Sequence, residues 1–356
     1  MGLQQVNTTA AKQSTASKKS KNKKRNANAD SNSRLNLSEV GLRTQLDYAR
    51  NGHGVLRNFI TDYAEGEPKS SHKTLMNLRK DIVELAQDEE LKAWIQKVQV
   101  AAGKTKFDKD LVDACRTIEG CQKALQDMGV TASLPFLQYF NTWRKIPAVK
   151  DLAFELGEAA SILLDVPTVR LYQDAVFWKR SQDGPTPWHI DARMAPFDTQ
   201  HFITFWIPLQ GVPSPRDGGT ALNFCSKSHS DFALPYWNPV DDSENDQNYA
   251  SAWDHLEDRY PQKIVDYMPM SLGDVTVHSG WTLHCSNGNE IEGSKDRLAL
   301  AISFVDGDAE IRPNWETIGD DEDRWSYQGW CKEIQPRTKF SHKLVPMVWP
   351  PSKRER

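Results

Sequence analysis

The sequence predicts a β-rich α+β fold in which a helical N-terminal half braces a β core of barrel or sandwich form. Three observations carry that prediction. Apolar residues recur at helical spacing from Ser38 to about Val166, the spacing changes to that of strands after Pro167, and the strand-like runs are separated by clusters of Gly, Pro and Ser. A chain of 356 residues, 38% hydrophobic and 26% charged, is long enough and apolar enough to bury a large core.

The first segment is different material. Residues 1–34 carry six Lys and two Arg against one Asp, a net of +7, which leaves −11 for the rest of a chain whose total is −4. This segment has too few large apolar side chains to offset the entropy of folding, so disorder is expected through about residue 35. Its cluster KKSKNKKR (18–25) reads as a nuclear or organellar address, as an arm attracted to phosphates, or as a plain solvated tail. The protein is expected inside the cell, in the cytoplasm unless residues 1–34 direct it elsewhere. No run approaches the ~18 apolar residues of a membrane span, so no membrane partner is expected. Nucleic acid is not expected either, because the tail alone would attract it. Five cysteines without a CxxC pair suit reduced, buried thiols better than a disulfide framework.

Leu42, Leu46 and Ala49 mark a first helix, stopped at NGHG (51–54), where Gly52 suits a left-handed cap. VLRNFI (55–60) then reads as a short strand. Leu75, Leu78, Ile82 and Leu85 mark a second helix, and Leu111, Cys115, Ile118 and Leu125 continue the helical spacing. Pro147 opens a further helix with Val149, Leu152, Leu156 and Leu163 on one side, ending near DVP (165–167). The β-rich runs are 168–180, 201–209, 220–224, 274–278 and 297–305. Residues 232–268, with the acidic run DDSENDQN (241–248), read as a surface insertion. Residues 307–356 are aromatic but aperiodic, with Trp315, Trp325, Trp330 and Trp349, and are expected to pack on the outside of the core.

Within GPTPWHIDARMAP (184–196), His189 and Asp191 stand two apart, which in extended chain turns both to one face and Ile190 to the other. Such a pair suits a metal chelate and also a plain surface pair at a strand end. His229-Ser230-Asp231 repeats the form, and His255-Leu256-Glu257 approaches it. A facial non-heme iron site needs two neutral imidazoles and one carboxylate, so a second histidine must come from a distant strand. GDVTVHSGWTLHCSNGN (273–289) offers His278 and His284. Gly280 interrupts that strand and His284 opens a fresh segment whose face Ser286 shares, so His284 is preferred. In RLALAISF (297–304), Leu298, Leu300, Ile302 and Phe304 point one way, and Arg297, Ala299, Ala301 and Ser303 the other. A guanidinium opening a face of small residues fits a carboxylate held by two parallel hydrogen bonds; a surface ion pair with Asp274 or Asp296 is the plain alternative.

Taken in order, WHID, the β runs, GD…H…H-x-S…N and the strand-opening arginine resemble the phytanoyl-CoA dioxygenase family of Fe(II)- and 2-oxoglutarate-dependent oxygenases. ARNGHGVLRNFI (49–60), RLYQDAVFWKRSQDGPTPWHID (170–191) and DGGTALNFCSKSH (217–229) are similar to further elements of that family, over roughly residues 45–306. The resemblance implies a double-stranded β-helix, a cupin-like jelly roll with flanking N-terminal helices. It implies iron ligands at His189, Asp191 and His284, and places Arg297 on the distal carboxylate of 2-oxoglutarate, with Ser286 and Trp206 lining the cosubstrate. Tyr172, Gln173 and Lys179, on the strand leading to the metal, are further candidates for cosubstrate contacts. The implied activity is a dioxygenase reaction, in which O2 oxidises a small organic substrate while 2-oxoglutarate becomes succinate and CO2, with ascorbate as an accessory reductant.

The expected organisation is then a basic tail (1–35) and one catalytic domain (36–350). That domain comprises a helical part (36–166), a jelly-roll core (167–306) interrupted by 232–268, and the aromatic extension (307–356). Cys225-Ser226-Lys227 stands where the family usually has a proline and a glycine, and the 232–268 insertion is atypical; both bear on the substrate pocket. Phe177, Trp178, Trp188 and Trp281 are candidates for an aromatic wall. Two rivals keep the fold: a zinc hydrolase with the same ligands, which has no need of Arg297, and a non-catalytic binding module, which has no need of the ligands.

Overall fold

The computed structural model describes residues 34–64, 67–69, 72–103, 109–233, 256–289, 295–317, 324 and 326–351. The basic cluster 18–25, the acidic run 241–248, His255 and Trp325 lie outside the described residues. Five helices brace the core: α1 (Leu42–Asn51), α2 (Lys73–Ala101), α3 (Lys109–Ala114), α4 (Ile118–Asp127) and α5 (Pro147–Leu164). Among the described residues, fifteen strands follow in chain order. They are β1 (His53–Leu56), β2 (Asp62–Ala64), β3 (Glu67–Lys69), β4 (Leu137–Phe140), β5 (Val169–Lys179), β6 (Thr186–His189), β7 (Phe197–Asp198), β8 (Phe202–Pro208), β9 (Leu222–Cys225), β10 (Ile264–Val265), β11 (Val275–Ser279), β12 (His284–Ser286), β13 (Arg297–Asp306), β14 (Glu310–Ile311) and β15 (Met347–Trp349).

Two antiparallel sheets face each other. The larger runs β1-β11-β8-β13-β5-β15, with β4 also paired to β5, and the smaller runs β10-β9-β12-β6. Side chains join them across the gap: the His53 ring of β1 stacks on Phe224 of β9 at 4.9 Å, and Arg297 of β13 reaches Ser286 of β12 at 2.8 Å. No strand pairing joins the two sheets among the described residues, so the jelly roll is an open sandwich and not a closed barrel.

The alternation expected in β13 is realised. Leu298, Leu300, Ile302 and Phe304 join the main core with Phe205, Val277 and the buried side of α5. Arg297, Ala299, Ala301 and Ser303 therefore face the small sheet. Helix α5 has proline in its first turn, where the fixed φ is preorganised and no amide hydrogen is missed. Its Val149, Leu152, Leu156 and Leu163 are buried as their spacing predicts.

The structure refines the expectations for five segments. Leu42 and Leu46 on α1 are 70% and 61% exposed, while the helix buries Tyr48, on the opposite side of a ten-residue helix. The helical spacing from Leu111 to Leu125 is two helices, because Thr117 leaves the helical region and caps α4 by accepting from the Gly120 amide at 3.1 Å. The described end of the 232–268 insertion is not an excursion: β10 pairs with β9, and Leu256 and Tyr260 are buried with Cys225 and Leu283. The extension adds β15 to the edge of the large sheet, and buried Arg170 donates to the carbonyls of Gly307, Phe340 and Val345, stitching that extension to β5. Leu35, expected at the end of the tail, is buried and bridges Ile60. All five cysteines are buried thiols outside any disulfide, and no described helix is long and apolar enough to cross a membrane.

Gly52 does cap α1, at φ +81°, and a Cβ there would stand 2.4 Å from His229 Nδ1 and 2.5 Å from Thr282 Oγ1. Gly52→Ala is expected to destabilise the fold by at least about 1–2 kcal/mol from the left-handed backbone alone, with the crowding added. Urea unfolding of the two proteins measures it; equal midpoints would show that the loop yields freely.

Candidate metal centre

The small sheet brings two histidines together. His189, the last residue of β6, is the direct cross-strand partner of His284, the first of β12, and their ring centroids lie 4.2 Å apart. Strand β6 ends at His189, but Ile190 remains extended, so Asp191 turns to the same side while opening the short helix α6 (Asp191–Met194). Asp191 Oδ1 lies 3.5 Å from Nε2 of both His189 and His284. One ligand atom from each of the three can be chosen so that all lie within 4.8 Å of one another, and theirs is the only such cluster of three or more among the described residues.

Backbone carbonyls set the tautomers. His189 Nδ1 meets the Pro187 carbonyl at 2.9 Å and His284 Nδ1 meets that of Thr282 at 2.9 Å. A carbonyl only accepts, so each Nδ1 carries the hydrogen and each Nε2 directs a lone pair at the shared space. Burial holds the His284 ring well below the usual imidazole range, and the neighbouring His189 and His278 rings push the same way. Burial alone would raise the Asp191 carboxyl; the His284, His189 and His278 imidazoles outweigh it and hold that group well below the usual carboxylate range. Two neutral imidazoles and one carboxylate are the donor set that a divalent iron or zinc ion takes.

Two residues along β12, about 7 Å by strand rise, Ser286 Oγ accepts from Arg297 Nη1 at 2.8 Å. Arg297 is 4% exposed, its carbon Cζ lies 5.6 Å from the centre of the Trp206 ring, and its Nε is buried without a partner. The surface ion pairs that would have explained it are taken: Asp274 holds Arg57 at 2.8 Å, and Asp296 accepts from Trp178 Nε1 at 3.0 Å. Directly opposite Arg297 in the β13–β5 pair stands Lys179, which is 0% exposed, donates to the carbonyls of Ser286 and Asn287 at 3.3 and 3.1 Å, and lies over the Phe136 ring at 4.9 Å. Burial, and then the charge of Arg297, push the lysine down to about 7, and burial pushes Arg297 down to about 10. Two buried cations side by side with no carboxylate partner among the described residues form a receptor for an anion.

The remaining candidates divide. Gln173 shares the inward face with Lys179, and its Oε1 is buried without a partner. Tyr172 stands where the register slips between Ser303 and Phe304, and it packs edge-on against Phe197 and Phe202 at 5.0 and 5.8 Å. Of the four aromatic-wall residues, Phe177 packs beside Trp206, Trp178 lies against the main core, Trp188 against Cys225 and Leu283, and Trp281 beneath the extension. In the duplicate motif, Asp231 is held by Arg259 and the Tyr260 hydroxyl at 2.7 and 2.8 Å, and His229 Nε2 meets the Ala49 carbonyl. His278 stands beside the triad, 3.1 Å from Asp191 Oδ2, and Thr204 Oγ1 lies 2.9 Å from the same oxygen. Sequence reading passed over Thr204, although its spacing from Trp206 in HFITFWIPL places both on one face.

An antiparallel jelly roll carrying a His, Asp, His triad beside a buried arginine defines the class of non-heme iron, 2-oxoglutarate-dependent oxygenases. The profile of phytanoyl-CoA dioxygenase (PhyH) matches residues 80–297, and the chain belongs to that family. It is a 2-oxoglutarate-dependent dioxygenase with iron as its metal. The non-heme alpha ketoglutarate dependent epimerase SnoN from nogalamycin biosynthesis is similar in fold, with TM-score 0.52 and 17% identity over 88% of this chain and 98% of that one. The carbocyclase SnoK from the same biosynthesis has TM-score 0.51 and 18% identity over 86% and 96%. No curated protein sequence matches the chain.

The lysine yields a pH test. Below pH 7, Lys179 is protonated folded and unfolded and its burial penalty is fully present. Between about 7 and its ordinary 10.5 the unfolded chain binds a proton that the folded chain does not, so this group makes stability rise with pH. Lys179→Met is expected to be the more stable protein at pH 6.5, by a margin that shrinks towards pH 10. Thermal melts of ligand-free protein across that range check this, and parallel curves would place a compensating anion beside the lysine.

Proposed function

We propose that the chain oxidises a small organic substrate with O2 while converting 2-oxoglutarate to succinate and CO2, at iron held by His189, Asp191 and His284. The observation that carries this reading is the pair of buried cations, Arg297 and Lys179, which have no carboxylate partner among the described residues and lie one short strand segment from the triad. A five-carbon diacid spans that interval: its keto-acid end reaches the triad and its distal carboxylate reaches the guanidinium. Iron with O2 supplies the oxidising power, and the cosubstrate supplies two electrons.

The chain's own residues bind and shield. The Nε2 lone pairs and the Asp191 carboxylate form one donor face. Ser286 orients Arg297, the Trp206 ring covers the flat side of the guanidinium, and Ala299 and Ala301 leave room for the diacid's methylenes while excluding water. A zinc hydrolase would use the same three ligands but leaves the two cations without a task.

Anaerobic protein with Fe(II) and 2-oxoglutarate is expected to show a metal-to-ligand charge-transfer band and, in air, to form succinate. His189→Ala should lose both while keeping its far-UV circular dichroism; full turnover in that variant would sink the iron reading. Arg297→Ala should keep metal and raise the 2-oxoglutarate needed for half-maximal band intensity by roughly ten- to hundredfold, the worth of a charge-assisted pair of about 1.5–3 kcal/mol. An unchanged midpoint would leave the hydrolase as the better account. Screening small metabolites for stimulated succinate formation then identifies the substrate.

A further inference from the structure

His278 is 1% exposed and lies against Asp191 without belonging to the triad. We propose that His278, together with Thr204, is a positioning residue that reserves a single oxygen of Asp191 for the metal; the idea rests on the metal reading of the triad. The two carboxylate oxygens have different surroundings. Oδ1 faces the lone pairs of His189 and His284 at 3.5 Å each, whereas Oδ2 has His278 Nε2 at 3.1 Å and Thr204 Oγ1 at 2.9 Å. An ionised carboxylate only accepts, so Nε2 of His278 carries the hydrogen and donates, as does the threonine hydroxyl. A protonated Nε2 has no lone pair left for a metal. That separates His278 from His284, although the two rings lie only 4.3 Å apart.

The fold keeps the donor in place. In the large sheet His278 is the cross-strand partner of His53 on one side and of Thr204 on the other, so both donors to Oδ2 come from one register. The Phe224 ring flanks His278 at 5.4 Å. Behind it, His53 is fixed at both nitrogens, by the Tyr267 hydroxyl at 2.7 Å and Ser226 Oγ at 2.8 Å, and its ring is stacked on Phe224. Asp191, by contrast, sits past the end of a strand, where its carboxylate is free to rotate unless something holds it. With Oδ2 occupied, the carboxylate contributes one donor and leaves the coordination positions that a chelating cosubstrate needs. With Oδ2 released, both oxygens can turn to the metal or neither.

The test uses full-length, metal-free protein titrated anaerobically with Co(II) and read by visible absorption, for the parent, His278→Leu and His278→Gln, with thermal melts of each. Leucine fills the space and donates nothing; the glutamine amide nitrogen reaches about as far as Nε2 and donates. His278→Leu is expected to bind Co(II) roughly 10–100-fold more weakly with one ion still bound at saturation, and a shifted spectrum, while His278→Gln stays within a few-fold of the parent. Parent-like binding in His278→Leu overturns the proposal. So does a His278→Gln variant as weak as His278→Leu, which would mean that the ring acts by packing. A His278→Leu variant that takes up no Co(II) at all, as expected of His284→Ala, would make His278 a ligand. Failure of the parent itself to bind Co(II) would instead remove the metal reading on which the proposal stands.

Discussion

The site depends on one backbone pairing. His189 and His284 are direct partners across the antiparallel pair β6–β12, so their Cα atoms are held about 4.5–5.5 Å apart and their rings meet at a tilt of 51° with centroids 4.2 Å apart. Two imidazoles that close cannot both be charged, and each has its Nδ1 committed to a carbonyl. The consequence is a pair of lone pairs aimed at one point, an arrangement that only a proton or a cation satisfies. Asp191 supplies the counter-charge, and everything behind it serves to hold that carboxylate still. The amide of Ala192 donates to the Gly280 carbonyl at 2.8 Å, and Arg312 donates to the Ala192 carbonyl at 2.9 Å. Through Arg312 the C-terminal extension reaches Ala192, the residue next to Asp191.

At the other end of the pocket the balance is reversed. Arg297 and Lys179 are pressed together on adjacent strands, and burial works against the charge on both. Such a pair lowers stability in the empty protein and returns that energy when an anion arrives. The jelly roll thus separates two incomplete charge sets, lone pairs at one end and cations at the other, by two residues of β12. A ligand with one chelating end and one distal carboxylate completes both.

Much of this was legible in the sequence, and the reasons for success and failure are physical. The faces of β13 followed from strict alternation between large aliphatic and small or charged residues, because a strand between two layers must sort its side chains every second position. His189 and Asp191 were legible for the same reason, although the strand ends between them and only the extended Ile190 preserves the parity. The slip beside Tyr172 was not legible, because a register belongs to a pair of strands and cannot be read from either one. Strand β10 was missed because two residues, Ile264 and Val265, carry no period at all. Helix α1 misled for a related reason: in ten residues, Leu42 and Leu46 mark a stripe as well as Tyr48 does, and only the packing partner decides between them.

His278 shows what a single sequence withholds. It competed with His284 on equal chemical terms, and the local reasons to prefer the later residue were the interruption at Gly280 and the face that His284 shares with Ser286. The structure distinguishes them through the partner of one nitrogen. His284 spends Nδ1 on a carbonyl and keeps Nε2 open, whereas His278 spends Nε2 on Asp191 and leaves Nδ1 buried without a partner. Same residue type, same burial and a ring separation of 4.3 Å give two different roles, because a neutral imidazole has one donor and one acceptor and the backbone chooses which faces inward. The register that sets His278 opposite both His53 and Thr204 is therefore as much a part of the site as the ligands.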